Sequence, residues 1–388
     1  MKYLLRSIFY AMLVFLISCT PPNASEIRFV LSVPDSTIRA EERVFIASNL
    51  NGWNPSDSSF MLKKQAANQY VFSYNIGQLS EAVSFPLTVE YKYTKGSWDC
   101  VEKTISGQDV SNRTFLLLNK TTSLTIRDTV ALWGSPRVST ATTNVLLLEE
   151  NFFIPTLQRY RKIWVYLPLD YEKNLQKRYP VLYMHDGQNL FDNAIAPFGE
   201  WQIDETLNRI NAEMIVVGIE HGGAKRLDEY SPYKNEKYGG GEGEKYLDFI
   251  VHHLKPHIDK KLRTRPEPSS TWIGGSSMGG LISFYATLKY PDTFGKGLIF
   301  SPSFWFSDSL YLFAEKITLK KTMPSLYLLA GGKEGYDVAN DIKKMEAILR
   351  KKKFTDRYYR YKFVETGIHR ESFWANEFLE AFQWLYKQ

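Results

Sequence analysis

One run of seven residues, Gly274-Gly275-Ser276-Ser277-Met278-Gly279-Gly280, limits what this chain can fold into more than any other. It contains G-x-S-x-G. Upstream, Ser270-Thr271-Trp272-Ile273 is short, apolar and rich in strand formers, and downstream Leu281, Ile282, Phe284, Tyr285 and Leu288 recur at helical spacing. Glycines on both sides let a strand turn sharply into a helix, which holds the Ser277 hydroxyl above a sheet and turns the next backbone N–H toward an oxyanion. The sequence therefore predicts a nucleophile elbow. The competing reading is a glycine-rich turn whose serine caps the helix.

A serine hydroxyl is a weak nucleophile until a neighbouring base takes its proton. In an α/β-hydrolase that base follows the serine along the chain, with an acid between them. Of the six histidines, His185, His221, His252, His253 and His257 precede Ser277 and only His369 follows it. His369 lies in a loop between the strand-like Tyr361-Lys362-Phe363-Val364 and an apolar helix from Phe373 to Tyr386, a position that suits a general base. The acid is expected after the strand Ser325 to Ala330, within Gly331-Gly332-Lys333-Glu334-Gly335-Tyr336-Asp337. Two candidates stand there. Glu334, in a glycine-flanked turn past the strand, ranks first, and Asp337, which can begin a helix from Val338 to Leu349, stays open as the alternative.

The segments Tyr183-Met184-His185-Asp186-Gly187-Gln188-Asn189-Leu190-Phe191-Asp192, Glu229-Tyr230-Ser231-Pro232, Gly275-Ser276-Ser277-Met278-Gly279-Gly280 and Gly367-Ile368-His369 together resemble the putative esterase family of α/β-hydrolases. That family takes in esterase D, carbohydrate esterases that release ferulate or acetate from xylan, siderophore esterases and mycolyltransferases. The resemblance covers residues 150 to 388 or so. It implies a doubly wound α/β sheet, hydrolysis of a carboxylic ester without metal or cofactor, and a triad of Ser277, Glu334 and His369. It also implies that the backbone N–H groups of Gln188 and Met278 bind the oxyanion. The departure from the family is the acid, which many relatives supply as Asp.

At the N-terminus Lys2 and Arg6 precede an apolar run from Ile8 to Ile17, too short to span a bilayer, so residues 1–18 read as a secretory signal. Leu16-Ile17-Ser18-Cys19 resembles a bacterial lipobox, which implies lipidation of Cys19 and a lipid-anchored protein of the bacterial cell envelope, facing the periplasm or the cell surface. The competing reading is an ordinary signal with a coincidental cysteine. Losing that segment takes the net charge from +6 to 6 − 2 = +4, too diffuse to imply a nucleic-acid partner. Cys100 is the other cysteine, half-buried in a strand or turn, and no disulfide framework is expected.

Between this segment and the hydrolase, Ile27, Phe29, Leu31 and Val33 alternate with polar residues, as do Val89, Tyr91 and Tyr93, with Leu124 and Ile126 closing the series. The pattern predicts a small antiparallel β-sandwich over 19–130, a linker over 131–147 and the hydrolase over 148–388. The stretch from Val44 to Pro55, with Tyr91 to Trp98, resembles the strands of glycogen- and starch-binding modules. The resemblance implies that Trp53, Lys92, Trp98 and Asn112 contact sugar; the alternative is that both tryptophans are core. Esters carried on polysaccharide, feruloyl or acetyl, are thus the expected substrates. Siderophore esters, acyl transfer and a non-catalytic glycan-binding role remain open. His253 and His257, four apart, read as surface residues despite a metal-compatible spacing, and Gly239 to Gly243 reads as a mobile loop beside the site.

Overall fold

The alternating patterns become strands, and the runs with helical spacing become helices that cover a central sheet. The computed structural model describes residues 25–34, 38, 42–136, 138–318, 323–335 and 337–388. The expected signal segment and Cys19 lie outside them. Two compact units divide the chain at Pro136 and Arg137.

The front unit holds β1 (Glu26–Ser32), β2 (Val44–Ser48), β3 (Met61–Ala66), β4 (Gln69–Asn75), β5 (Leu87–Thr94), β6 (Glu102–Lys103), β7 (Arg113–Leu117), β8 (Leu124–Thr129) and β9 (Leu132–Trp133). Seven of them run in the order β7-β5-β2-β3-β4-β1-β8. Strand β3 belongs to both halves, because Leu62 pairs with Val44 of β2 while Lys63 pairs with Val71 of β4. The halves close on each other, with the Phe29 ring 5.2 Å from that of Tyr91. The expected antiparallel pairing holds except between β1 and β8, which are parallel. Inside, Arg113 binds Glu102 and Asp128, and the hydroxyls of Tyr91 and Tyr93 each donate to Asp128 Oδ2 at 2.8 Å, so the charges withdrawn from water are paired.

The segment read as a linker is more ordered than its composition suggested. Leu132–Trp133 pairs with β6, and Thr142 bonds Asp204 through both its N–H and its hydroxyl at 2.8 Å. Threonine hydroxyls that look like solvent-facing loop chemistry, those of Thr140 and Thr142, here donate to the buried carboxylates of Glu200 and Asp204.

The second unit adds β10 (Val145–Ile154), β11 (Arg159–Tyr166), β12 (Val181–His185), β13 (Ile215–Ile219), β14 (Lys234–Asn235), β15 (Gly239–Gly240), β16 (Thr271–Ser276), β17 (Lys296–Phe300), β18 (Ser325–Lys333) and β19 (Tyr359–Ile368). Its helices are α1 (Ile203–Arg209), α2 (Arg226–Glu229), α3 (Gly243–Phe249), α4 (Lys255–Lys261), α5 (Met278–Lys289), α6 (Ser309–Lys316), α7 (Val338–Lys351) and α8 (Glu371–Tyr386). Eight strands form one sheet in the order β10-β11-β13-β12-β16-β17-β18-β19. The pairs involving β11 are antiparallel and the rest parallel. Strand residues feed alternate cores: Val181, Tyr183 and Ile273 face one with α3 and α5, whereas Leu182, Met184 and Trp272 face another with α1 and α8. Both faces are covered, which is why these strands read as unbroken apolar runs.

At the end of β12 the His185 ring is buried against Tyr230 and Tyr246, with Nδ1 2.9 Å from the Tyr246 hydroxyl and Nε2 without a hydrogen-bond partner among the described residues. Desolvation pushes its pKa down to about 3. An unfolded histidine takes a proton near pH 6.5, so as pH falls below about 6.5 the unfolded state binds a proton that the folded state refuses. Stability is then lost at up to about 1.4 kcal/mol per pH unit, until the folded ring also titrates. His185→Gln removes this contribution and should flatten the acid limb of unfolding free energy against pH between about 6.5 and 3. Parallel curves for the variant and the wild type in denaturant titrations would show that the ring does not set this dependence.

Candidate active site

Three neighbouring strands, β12, β16 and β17, are each followed at once by a non-glycine residue with positive φ: Asp186 at 56°, Ser277 at 58° and Ser301 at 43°. Such backbone is sparsely populated and persists only where surrounding structure holds it. Ser277, with ψ −123°, is the residue between β16 and α5. Although it stands at the helix N-cap, its hydroxyl makes no capping bond among the described residues, which removes the competing reading of a serine that only caps. Its N–H donates to Phe300 C=O at 3.0 Å, and its Oγ lies 3.3 Å from Ser303 Oγ. Gly280 allows the tight turn, since a Cβ there would meet Phe300 C=O at 2.8 Å.

His369 follows β19 and is one quarter exposed. Its Nδ1 lies 2.9 Å from Glu334 Oε2, and its ring packs edge-on against Trp374, 5.1 Å between centroids. The Glu334 side chain is fully buried. Its other oxygen, Oε1, accepts from Ser301 Oγ at 2.7 Å and from Gly331 N–H at 2.5 Å, and Ser301 Oγ in turn accepts from Trp374 Nε1 at 2.8 Å. Asp337 sits apart from this network: it is the exposed N-cap of α7 and accepts from Asn340 N–H at 3.0 Å. One expectation needs correcting. β18 continues through Gly331 and Gly332 to Lys333, so Glu334 follows the strand directly instead of standing four residues past its end at Ala330. The glycines make that extension possible, because a Cβ on Gly331 would lie 2.5 Å from the Gly367 backbone.

Gln188 lies in the tight turn Gly187–Asn189 after β12. Arg226 of α2 clamps the start of this turn through Asp186, Nε to Oδ1 at 2.7 Å and Nη2 to Oδ2 at 2.9 Å. Burial pushes the Asp186 carboxyl up, but the Arg226 charge more than offsets this and holds it below the usual carboxylate range. Asn189 Nδ2 donates to Glu371 Oε1 at 3.1 Å, tying the turn to the first turn of α8, two residues past His369. Met278 is the first residue of α5, and a first-turn N–H has no intrahelical acceptor. Ser277, Glu334, His369, Gln188 and Met278 all follow the carboxyl ends of the parallel strands β12, β16, β18 and β19, at one end of the sheet. Ser301, Ser303, Trp374 and Arg226 join them without any sequence signal that marked them.

In the front unit Trp53 and Trp98 stand side by side, 6.3 Å between ring centroids, and neither belongs to the sandwich core. Trp98 is 45% exposed. Lys92 and Asn112 are tied elsewhere, Lys92 to Val110 C=O and Asn112 to Glu90 Oε2 at 3.2 Å. The glycine run expected to be a mobile loop is instead pinned: Gly239–Gly240 forms β15 opposite β14, and Gly240 N–H donates to Asp228 Oδ1 at 2.8 Å. His257 is paired with Glu149 at 2.9 Å.

A family model described as "Putative esterase" matches residues 154–385, more than half of the chain. Among curated proteins, the uncharacterized protein YbbA of Bacillus subtilis (strain 168) is 29% identical over 242 residues, 58% of this chain and 92% of that protein. An α-amylase of Niallia circulans is 33% identical over 112 residues, 29% of this chain and 8% of that enzyme. The crystal structure of the enterobactin esterase FES from Shigella flexneri, with 2,3-di-hydroxy-N-benzoyl-glycine, shares the fold at a TM-score of 0.53 and 14% identity, over 93% of each chain. With its eight-stranded sheet, its serine elbow and the family match over residues 154–385, the chain belongs to the putative esterase family of α/β-hydrolases and is a carboxylic-ester hydrolase.

Proposed function

We propose that Ser277 is the nucleophile, His369 its general base and Glu334 the acid that orients the base. The observation that carries this reading is the bond of His369 Nδ1 to a fully buried Glu334. With Nδ1 engaged there, Nε2 takes the Ser277 proton as Oγ attacks the ester carbonyl carbon. The N–H groups of Gln188 and Met278 bind the oxygen that becomes negative, and Glu334 stabilises the imidazolium. His369 then returns the proton to the departing alcohol, and water repeats the sequence on the acyl-enzyme.

The substrate we infer is an ester carried on polysaccharide, with the front unit capturing the polymer through Trp53 and Trp98. Support comes from the adjacent tryptophan rings, Trp98 exposed and Trp53 half-buried, and from the α-amylase relative. Cys19 is proposed as a lipid anchor holding the protein at the cell envelope.

Ser277→Ala should lower ester turnover by about a thousandfold or more, and His369→Ala similarly, with the double variant no worse than the singles because the two act as one unit. Steady-state kinetics giving the product of the single effects would dissolve the pair. Glu334→Gln should be far more damaging than Asp337→Asn. Ser301→Ala, which strips one donor from the acid and leaves Trp374 Nε1 unpaired, should lower turnover by roughly ten- to a hundredfold. The reverse ranking of the two acids would transfer the role to Asp337.

For the front unit, Trp53→Ala with Trp98→Ala should weaken pull-down on insoluble xylan or α-glucan and leave hydrolysis of a small soluble ester unchanged. Equal loss on both measurements would make the rings structural. For the anchor, wild-type protein should need detergent for extraction and Cys19→Ser should not reach that membrane-held mature form, since acyl chains supply the anchoring energy. Identical fractionation of the two would refute lipidation.

A further inference from the structure

The turn that carries Gln188 is locked from both sides, and one lock comes from the segment that carries the proposed base. On one side Arg226 holds Asp186, the residue before the turn. On the other, Asn189 Nδ2 donates to Glu371 Oε1 at 3.1 Å, across 182 residues of sequence. Gln188 stands between them. Asn189 is also fixed through its backbone, where its N–H donates to Asp186 C=O and its C=O accepts from Trp201 N–H, each at 2.8 Å. Adjacent Cα atoms are about 3.8 Å apart and two residues of chain reach at most about 7 Å. The Asn189–Glu371 bond therefore joins the neighbour of Gln188 to a residue close to His369.

Glu371 is not placed like an ordinary first-turn acid. A carboxylate at a helix N-terminus usually faces water, where the helix dipole favours it. Glu371 opens α8 yet is only 8% exposed, and its Oε1 is turned to a buried side chain of another element. Asn189 Oδ1 has no hydrogen-bond partner among the described residues, so Glu371 is what holds that side chain. Burial pushes the Glu371 carboxyl above the usual range, with Asp186 acting in the same direction and Arg226 and His369 against it. Carrying a charge is unfavourable there, whereas accepting the Asn189 bond needs none. A shortened side chain would leave the buried Asn189 donor without its acceptor, which favours a rearranged turn.

We propose that Glu371 is a positioning residue that acts through Asn189 to hold the Gln188 N–H where the oxyanion forms, in register with His369. The inference rests on the mechanism proposed above, with Ser277 as nucleophile and the Gln188 N–H as an oxyanion donor. An oxygen that becomes negative only in the transition state gains from this register, and a bound ester does not. Loss of Glu371 therefore belongs in kcat.

The test is hydrolysis of p-nitrophenyl acetate by the full-length protein, with kinetics taken well below the thermal midpoint of each variant. Glu371→Ala should lower kcat by about ten- to a hundredfold and leave KM within about twofold. Glu371→Gln, which keeps a carbonyl oxygen in place, should stay within about threefold of the wild type. Asn189→Ala should match Glu371→Ala, and the double variant should be no worse than either, because the two side chains make one contact. Affinity for phenylboronic acid, whose serine adduct is a tetrahedral anion, should fall in step with kcat. Should Glu371→Ala not fold, Asn189→Ala removes the same bond from the other side and decides the question. Wild-type kcat without the bond, equal damage from Glu371→Gln and Glu371→Ala, a loss confined to KM, additive losses in the double variant or unchanged boronate affinity would each overturn the role. Two controls separate this role from the mechanism it rests on. Activity surviving in Ser277→Ala removes the nucleophile assignment, and wild-type kcat in Gln188→Pro, which deletes the N–H, removes the oxyanion donor. With both controls impaired, a fully active Glu371→Ala removes only the positioning role.

Discussion

A carboxyl group taken out of water is costly unless the protein supplies its hydrogen bonds, and the Glu334 side chain is wholly buried. Its donors come from three separate pieces of chain: Ser301 after β17, Gly331 within β18 and His369 after β19. Satisfying that one side chain fixes how far β18 runs, how closely Gly331 approaches Gly367 and which way the His369 ring faces. Trp374 extends the constraint into α8 by holding the Ser301 hydroxyl and packing on the imidazole at the same time. The end of the sheet is therefore one hydrogen-bonded unit, whose parts lose their geometry together.

This explains which features were legible in the sequence. The elbow was readable because strand, turn and helix lie within about twenty consecutive residues, and the turn needs glycine at set positions. His369 was readable by elimination. Ser301 and Arg226 were not, because their partners lie 33 and 40 residues away and a serine or arginine in a loop leaves no periodic trace. Asp337 looked like a plausible acid for the same reason that it is a good helix cap: both roles want a carboxylate just past a strand and before a helix. Burial separates the two, and burial is set by the packing of β18 against β19.

The front unit shows the same limit from the other side. Alternation gave its strands, and the buried Ile27, Phe29, Val89 and Tyr93 follow that alternation. Composition could not show that β1 and β8 would run parallel, nor that Trp53 would adopt a positive φ of 62° and stand, half-buried, beside the exposed Trp98. Aromatic residues read as core by default, and only exposure distinguishes a packed ring from a presented one.

The strained residues at the ends of β12, β16 and β17 give the site its physical logic. Backbone in such regions costs of order 1–3 kcal/mol per residue, so Asp186, Ser277 and Ser301 together use up a sum comparable to the whole net stability of an ordinary domain. An eight-stranded sheet buried on both faces can sustain that, because its strands cannot shift without breaking ladders on either side. Each strained residue also gains a fixed partner where the turn ends: Arg226 for Asp186, Phe300 C=O for the Ser277 N–H, and Glu334 with Trp374 for Ser301. Strain on three adjacent strands turns donors, a hydroxyl and a carboxylate toward the same edge before any substrate arrives. A relaxed backbone at these positions would point those groups apart, so the packing of the sheet is what holds the Ser277 hydroxyl in the orientation that the proposed mechanism uses.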